Sequence, residues 1–290
     1  MHDVELLIDL AAELAESPCW DAATQSLVFV DITGGRLHRW SHANGELQTT
    51  ELGQLVGAAV PRAAGGLVLA LRDGLVVAES GAPLRAGCAI EADQPQTRLN
   101  DAKCDPAGRL FVGSMAGMDQ PGAGALYRVD RDWQVSQVVA GTTISNGMAW
   151  SPEGTTMYFI DSPTGAVDAF DFEPATGELR RRRRLVEFEA GAGNPDGLTV
   201  DSEGFLWVAS FGGWCVRRYR PDGRLRDTVR LPVRDVTSCA FGGPDLDELF
   251  ITTASIELSA AERAEQPAAG GIFRIRPGVR GLPVVAFQGR

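Results

Sequence analysis

Six short runs of apolar, β-prone residues punctuate the chain, at 27–30, 67–70, 110–113, 157–160, 206–209 and 249–252, and they recur every 40 to 49 residues. Most follow a polar turn, as in Asp105-Pro106-Ala107-Gly108, Ser151-Pro152-Glu153-Gly154 and Asp201-Ser202-Glu203-Gly204. A second segment with period-2 alternation follows each run, at 35–40, 74–77, 124–129, 165–170, 214–219 and 271–275, and a third follows in most units, as at 133–139 and 225–231. Alternation on this short period with frequent turns predicts antiparallel sheet throughout. The repeat length matches the blades of a radial all-β architecture, which leaves only short, protected sheet edges. The expected fold is a six-bladed β-propeller of four-stranded antiparallel blades, one domain over 1–290. Residues 4–10 are placed as the outermost strand of the last blade, closing the ring. The helical signal is Ser259-Ala260-Ala261-Glu262, a capping box opening a short helix that Pro267 ends.

In this register each blade opens with an innermost strand, at 16–20, 56–60, 100–104, 146–150, 196–200 and 237–241. The last residues of these segments (Trp20, Val60, Cys104, Trp150, Val200, Phe241) are apolar and read as core. Four positions earlier stand Glu16, Val56, Asn100, Asn146, Asp196 and Thr237. Four of these six carry a carboxylate or carboxamide, so hard oxygen donors converge on one end of the axis and suit a divalent cation such as Ca²⁺, Mg²⁺ or Mn²⁺. Asn146-Gly147 and Asp196-Gly197 are also ordinary turn dipeptides. A turn role, however, demands no common offset across separate blades.

Charge and composition narrow the function further. With 27 basic against 38 acidic residues the net charge is −11, which argues against nucleic-acid backbones and anionic membranes as partners. Lys103 is the only lysine. The arginines at 180–184 sit on an outer strand and are expected to face solvent, balanced by Glu178, Glu187 and Glu189. The start of the chain has no basic n-region, no apolar run approaches a bilayer span, and five scattered cysteines suggest reduced thiols, mostly in the core. A cytoplasmic, monomeric protein is the expectation. His2, His38 and His42 lie outside the repeated motif, and neither a nucleophile elbow nor a phosphate-cradling loop is present.

At its channel residues the sequence resembles the SMP-30/gluconolactonase/regucalcin-like family of six-bladed propellers. The resemblance rests on Glu16-Ser17-Pro18-Cys19-Trp20, Arg98-Leu99-Asn100-Asp101-Ala102-Lys103, Ser145-Asn146-Gly147 and Asn194-Pro195-Asp196-Gly197. Phe241-Gly242-Gly243-Pro244-Asp245 and Ala268-Ala269-Gly270-Gly271-Ile272-Phe273 add to it. It implies that Glu16, Asn146 and Asp196 hold one divalent ion (Ca²⁺, Zn²⁺, Mg²⁺, Mn²⁺ or Fe²⁺). It further implies that Arg98 and Asn100, with Asp101 beside them, contact a sugar lactone, and that Asp196 is also the general base. Where some members carry a substrate-contacting Glu, this chain has Met118, with Asp119 next to it. The implied activity is metal-dependent opening of an aldonolactone. A non-catalytic Ca²⁺-binding propeller or protein-interaction scaffold, and an esterase for non-sugar lactones, are the alternatives.

Overall fold

The computed structural model describes residues 3–289. Six four-stranded antiparallel sheets form a six-bladed β-propeller. Blade 1 comprises Ala15–Asp21, Ser26–Asp31, Arg36–Ser41 and Leu47–Glu51, from the axis outward; blade 2 follows with Val56–Pro61, Leu67–Leu71, Gly74–Ala78 and Arg85–Ala89. Blade 3 contains Arg98–Cys104, Leu110–Met115, Gly124–Val129 and Val135–Thr142, and blade 4 contains Ser145–Trp150, Thr156–Asp161, Ala166–Glu173 and Glu178–Glu187. Blade 5 is built from Asn194–Val200, Leu206–Phe211, Cys215–Tyr219 and Leu225–Arg230. Blade 6 takes Val236–Gly242, Glu248–Thr253 and Ile272–Ile275 from the C-terminal part of the chain and Glu5–Ile8 from the N-terminal part. Glu5 pairs with Arg274 and Leu6 with Phe273, so the first strand closes the ring as the alternation predicts, and the last blade has no exposed third edge.

The hydrophobic core is divided among the six interfaces between blades rather than gathered at the axis. Phe111, Leu126, Trp150 and Phe159, for example, pack blade 3 on blade 4, and Trp20, Phe29 and Phe250 pack blade 6 on blade 1. The six inner-strand residues read as core are all buried, from Trp20 at 1 % exposure to Cys104 and Trp150 at 6 %. This arrangement follows from the alternation. Each sheet has two apolar faces, each face needs a neighbour, and a ring supplies one on either side. The axis is therefore left for polar groups.

All five cysteines are unpaired; Cys104, Cys215 and Cys239 are buried, and Cys19 and Cys88 half-buried. His38 stacks on Phe29 and meets Thr49 Oγ1 at 2.9 Å, His42 meets Glu248 at 3.1 Å, and His2 lies outside the described residues. The outer-strand arginines at 180–184 are exposed as expected, but their partners differ from the expected glutamates. Arg182 and Arg184 reach Asp168, Arg181 and Arg183 reach Asp171, and Arg180 alone pairs with Glu178. Cross-strand register sets these pairs, since Asp168 and Asp171 stand on the adjacent strand opposite Arg184 and Arg180. Glu189 turns instead to Arg217 at 2.9 Å. Among the described residues no helix is long and apolar enough to cross a membrane.

After blade 6 the chain crosses the end of the axis as an irregular strap. Gly281 N donates to Leu246 O at 2.8 Å, and Phe287 N donates to Pro61 O at 2.8 Å, with Phe287 buried between blades 2 and 3.

Candidate active site

Every inner strand carries a bulge near its start. In blades 1, 3, 4 and 5 the register slips between Glu16 and Cys19, Leu99 and Ala102, Ser145 and Met148, and Pro195 and Leu198; in blades 2 and 6 it slips between Val56 and Ala58 and between Val236 and Ser238. A bulge opposes two residues to one, so consecutive side chains are re-aimed instead of alternating regularly across the sheet. Asn100, Asn146 and Asp196, the first residues of their bulged pairs, and Glu16, just before the bulge of blade 1, line a cleft of about 750 Å³ at one end of the axis. The residues that follow Glu16, Asn100 and Thr237 in the chain, Ser17, Asp101 and Ser238, line a separate cavity of about 360 Å³ at the other end. In blades 4 and 5 the second residue is Gly147 or Gly197, and the space for a side chain is taken. A Cβ on Gly147 would lie 2.5 Å from Asp196 O, and one on Gly197 would lie 1.9 Å from Ser238 Oγ.

The cleft brings together five of the six residues singled out from the sequence: Glu16, Arg98, Asn100, Asn146 and Asp196. Asp101 faces the second cavity with Lys103, although its charge is felt by both Glu16 and Asp196. Glu16 accepts from the Ser17 backbone N–H at 2.6 Å, and burial followed by the charge of Asp101 pushes its carboxyl from 4.5 up to about 8. Burial, then Glu16 and Asp101, hold the Asp196 carboxyl well above the usual carboxylate range. Its Oδ1 is buried with no hydrogen-bond partner. Neither acid forms an ion pair among the described residues. Ionising both buried carboxyls with no ion pair to balance them costs several kcal/mol in an interior of low polarity, although Arg98 offsets part of it.

Amides and one guanidinium frame these acids. Asn100 Nδ2 donates to Ser145 O at 2.9 Å and Asn146 Oδ1 at 3.0 Å, while Asn146 Nδ2 donates to Ser162 Oγ at 2.9 Å. Arg98 donates to Asn100 Oδ1 at 2.7 Å and Leu99 O at 3.0 Å. Burial pushes the Arg98 guanidinium down to about 10, against the opposing pull of Glu16 and Asp196.

This donor set fits a divalent cation. With such an ion bound, the orphaned Asp196 oxygen would gain a partner and the mutual repulsion that raises both acids would become shared attraction; the donors are all hard oxygens. Among the described residues no group of three His, Cys, Asp or Glu surrounds a common point; the oxygen of Asn146, in the same cleft, could serve as a third donor beside Glu16 and Asp196.

Several lining residues lie outside the inner-strand motif. Ile32, Met115, Ser162 and Phe211 stand at or just past the outer ends of the second strands, and Arg234, Asp235 and Glu257 come from blade 6 connections. A common offset from the second apolar run is the signal that finds the first four. The short helix Ala260–Glu265 begins at the expected capping box and does more than decorate the loop: Glu262 and Gln266 bind Arg234 on the cleft wall, at 2.9 and 2.6 Å. Met118 lines the cleft at 65 % exposure, and Asp119 does not line it.

Known proteins resemble this chain over nearly its full length. Regucalcin of Danio rerio is 39 % identical over 290 residues, covering 99 % of this chain and 98 % of the relative. A calcium-binding protein, regucalcin, from Agrobacterium tumefaciens superposes with a TM-score of 0.95 at 27 % identity, over 99 % of this chain and 97 % of that one. A luciferin-regenerating enzyme superposes at 0.93 with 32 % identity, over 99 % and 100 %. The model of the SMP-30/gluconolactonase/LRE-like region matches residues 14–255, and the chain belongs to that family.

Proposed function

We propose that the protein is a metal-dependent lactonase that opens a sugar lactone to its aldonic acid, with Glu16, Asn146 and Asp196 as the cation's protein ligands. The observation that carries this reading is the buried, unpartnered Oδ1 of Asp196 in a cleft shared with Glu16 and Asn146. The gluconolactonases within the matching family support the reaction class. A divalent ion, when bound, supplies Lewis acidity to the lactone carbonyl and lowers the pKa of nearby water.

The protein's own groups divide the remaining work. Asp196 takes a proton from the water that attacks the carbonyl carbon, and the C–O bond of the ring then breaks. The same carboxyl returns the proton to the departing alkoxide, so one water is consumed and one hydroxy acid is formed. Arg98, with donors beyond its two bonds to Leu99 and Asn100, faces the oxygens of the substrate. Asn100 fixes Arg98 on one side and Asn146 on the other. Met118 offers an apolar surface at the rim and no hydrogen bond to a hydroxyl.

The test is lactone turnover by chelated protein to which Ca²⁺, Zn²⁺, Mg²⁺, Mn²⁺ or Fe²⁺ is restored, across pentono- and hexonolactones, with metal-only controls. Turnover no faster than the controls for every pair ends the proposal. A second reading, a Ca²⁺-binding propeller without catalysis, draws on the calcium-binding description of the Agrobacterium relative. It predicts that Ca²⁺ binds at the cleft while no lactone is opened. The unpaired cysteines support a reducing, cytoplasmic setting.

A further inference from the structure

The cavity at the other end of the axis has its own chemistry. Its walls are largely apolar, with Val60, Trp150, Val200 and Phe241 from four blades and Leu282 and Val284 from the C-terminal strap. Ser17, Asp101, Lys103, Ser151, Thr199 and Ser238 add polar side chains to the lining. Among the described residues Lys103 donates only to Leu198 O, at 2.8 Å, although an ammonium carries three donors. Asp101 Oδ1 accepts from Ala102 N at 2.7 Å, and its other oxygen has no hydrogen bond among the described residues. Ser17 and Ser238, 6 % and 4 % exposed, use neither hydroxyl in a hydrogen bond among the described residues. Lys103 and Asp101 form no ion pair with each other or with any other described residue. Opposite charges thus share one apolar chamber, each with hydrogen-bonding capacity unused.

We propose that this cavity binds an apolar α-amino acid as its zwitterion. The carboxylate is received by the Lys103 ammonium and the serine hydroxyls, the ammonium by the Asp101 carboxylate, and the side chain by the apolar walls. A simple anion satisfies Lys103 but faces Asp101, and a simple cation does the reverse. A molecule carrying both charged groups on one carbon meets each with its complement. The volume of about 360 Å³ accommodates a leucine- or phenylalanine-sized ligand. The site is separate from the cleft, and the proposal stands whether or not the cleft opens lactones.

Calorimetric titration of the full-length protein with L-leucine and L-phenylalanine tests it, beside 4-methylpentanoate and isopentylamine, which each keep one charge of leucine. The expected result is saturable one-to-one binding of the amino acids. Each half-ligand should bind at least about tenfold more weakly, and Lys103→Met and Asp101→Asn should each cost a similar factor. Ala240→Leu, which fills the cavity from its wall, should abolish binding while circular dichroism stays native. The proposal is overturned by absence of saturable heat with millimolar leucine on folded protein. It is equally overturned if a half-ligand binds as tightly as leucine, or if folded Lys103→Met or Ala240→Leu protein binds leucine like the parent.

Discussion

The Ser162 hydroxyl accepts a hydrogen bond from Asn146 Nδ2 at 2.9 Å and itself donates to Pro195 O at 2.7 Å. One buried oxygen therefore ties the amide of a candidate ligand on blade 4 to the backbone next to Asp196 on blade 5. Because the hydroxyl holds the nitrogen end of the amide, the carbonyl end of Asn146 is the end left toward Asn100 and the cleft.

Replacing Ser162 with Ala should free that amide to turn. Affinity for Ca²⁺ or Mn²⁺ is expected to fall about 10- to 100-fold, while the melting temperature of chelated protein stays close to the parent's. Calorimetric titration with the metal alone measures the first and thermal melts in chelator the second. Unchanged metal affinity would show that Asn146 is oriented by Asn100 alone.

Asp196→Asn keeps the shape of the side chain but removes a charge and a base. Lactone turnover at saturating metal should drop by about 10²- to 10⁴-fold. The chelated variant should be at least as stable as chelated parent protein, since the repulsion that raises both Glu16 and Asp196 is relieved. Turnover assays and denaturant melts on the same preparation separate the two effects, and full activity in the variant would remove Asp196 from the chemistry.

Protons and metal compete for the same acids. Glu16 in metal-free protein has its carboxyl raised from 4.5 to about 8, so the folded state binds a proton that the unfolded state has already released. Stability of the chelated protein is therefore expected to decline as pH rises from about 4.5 to about 8, where the buried acid finally ionises. Metal affinity should climb through the same window and level off above it, because fewer protons must be displaced. Melting temperatures with and without metal should diverge between pH 5 and pH 8 on these grounds; a constant difference would contradict the assignment of Glu16 as a ligand.

Gly147→Ala tests the close approach of the inner strands. The added Cβ would lie 2.5 Å from Asp196 O and 2.6 Å from Leu198 N, backbone atoms with no rotamer to escape into. Blades 4 and 5 must separate locally, at a cost of about 1–3 kcal/mol, and Asp196 moves with its strand. Chemical denaturation should register that loss together with weaker metal binding; a variant with parent-like stability would mean the strands can part freely.

Much of this protein is legible in its residues. Period-2 alternation in six units predicts the blades, the apolar 4–10 segment predicts ring closure, and a shared offset of four residues before each core position locates Glu16, Asn100, Asn146 and Asp196. These are local or strictly periodic properties, and a repeat displays them in one dimension. The oppositely facing Asp101, the bridge from Ser162 and the pairing of the arginines with Asp168 and Asp171 were not legible in the same way.

What the chain order alone determined is thus the number of blades and which residues share a level on the axis. The two ends of that axis were decided only by folding. A bulge is a mismatch between two strands and is written in neither, so the residue that turns toward the cleft and the one that turns toward the opposite cavity become distinct only once the strands have paired. The burial that raises Glu16 and Asp196 likewise exists only when blades distant in sequence close around them, because desolvation is a property of the assembled interior and not of any residue in it.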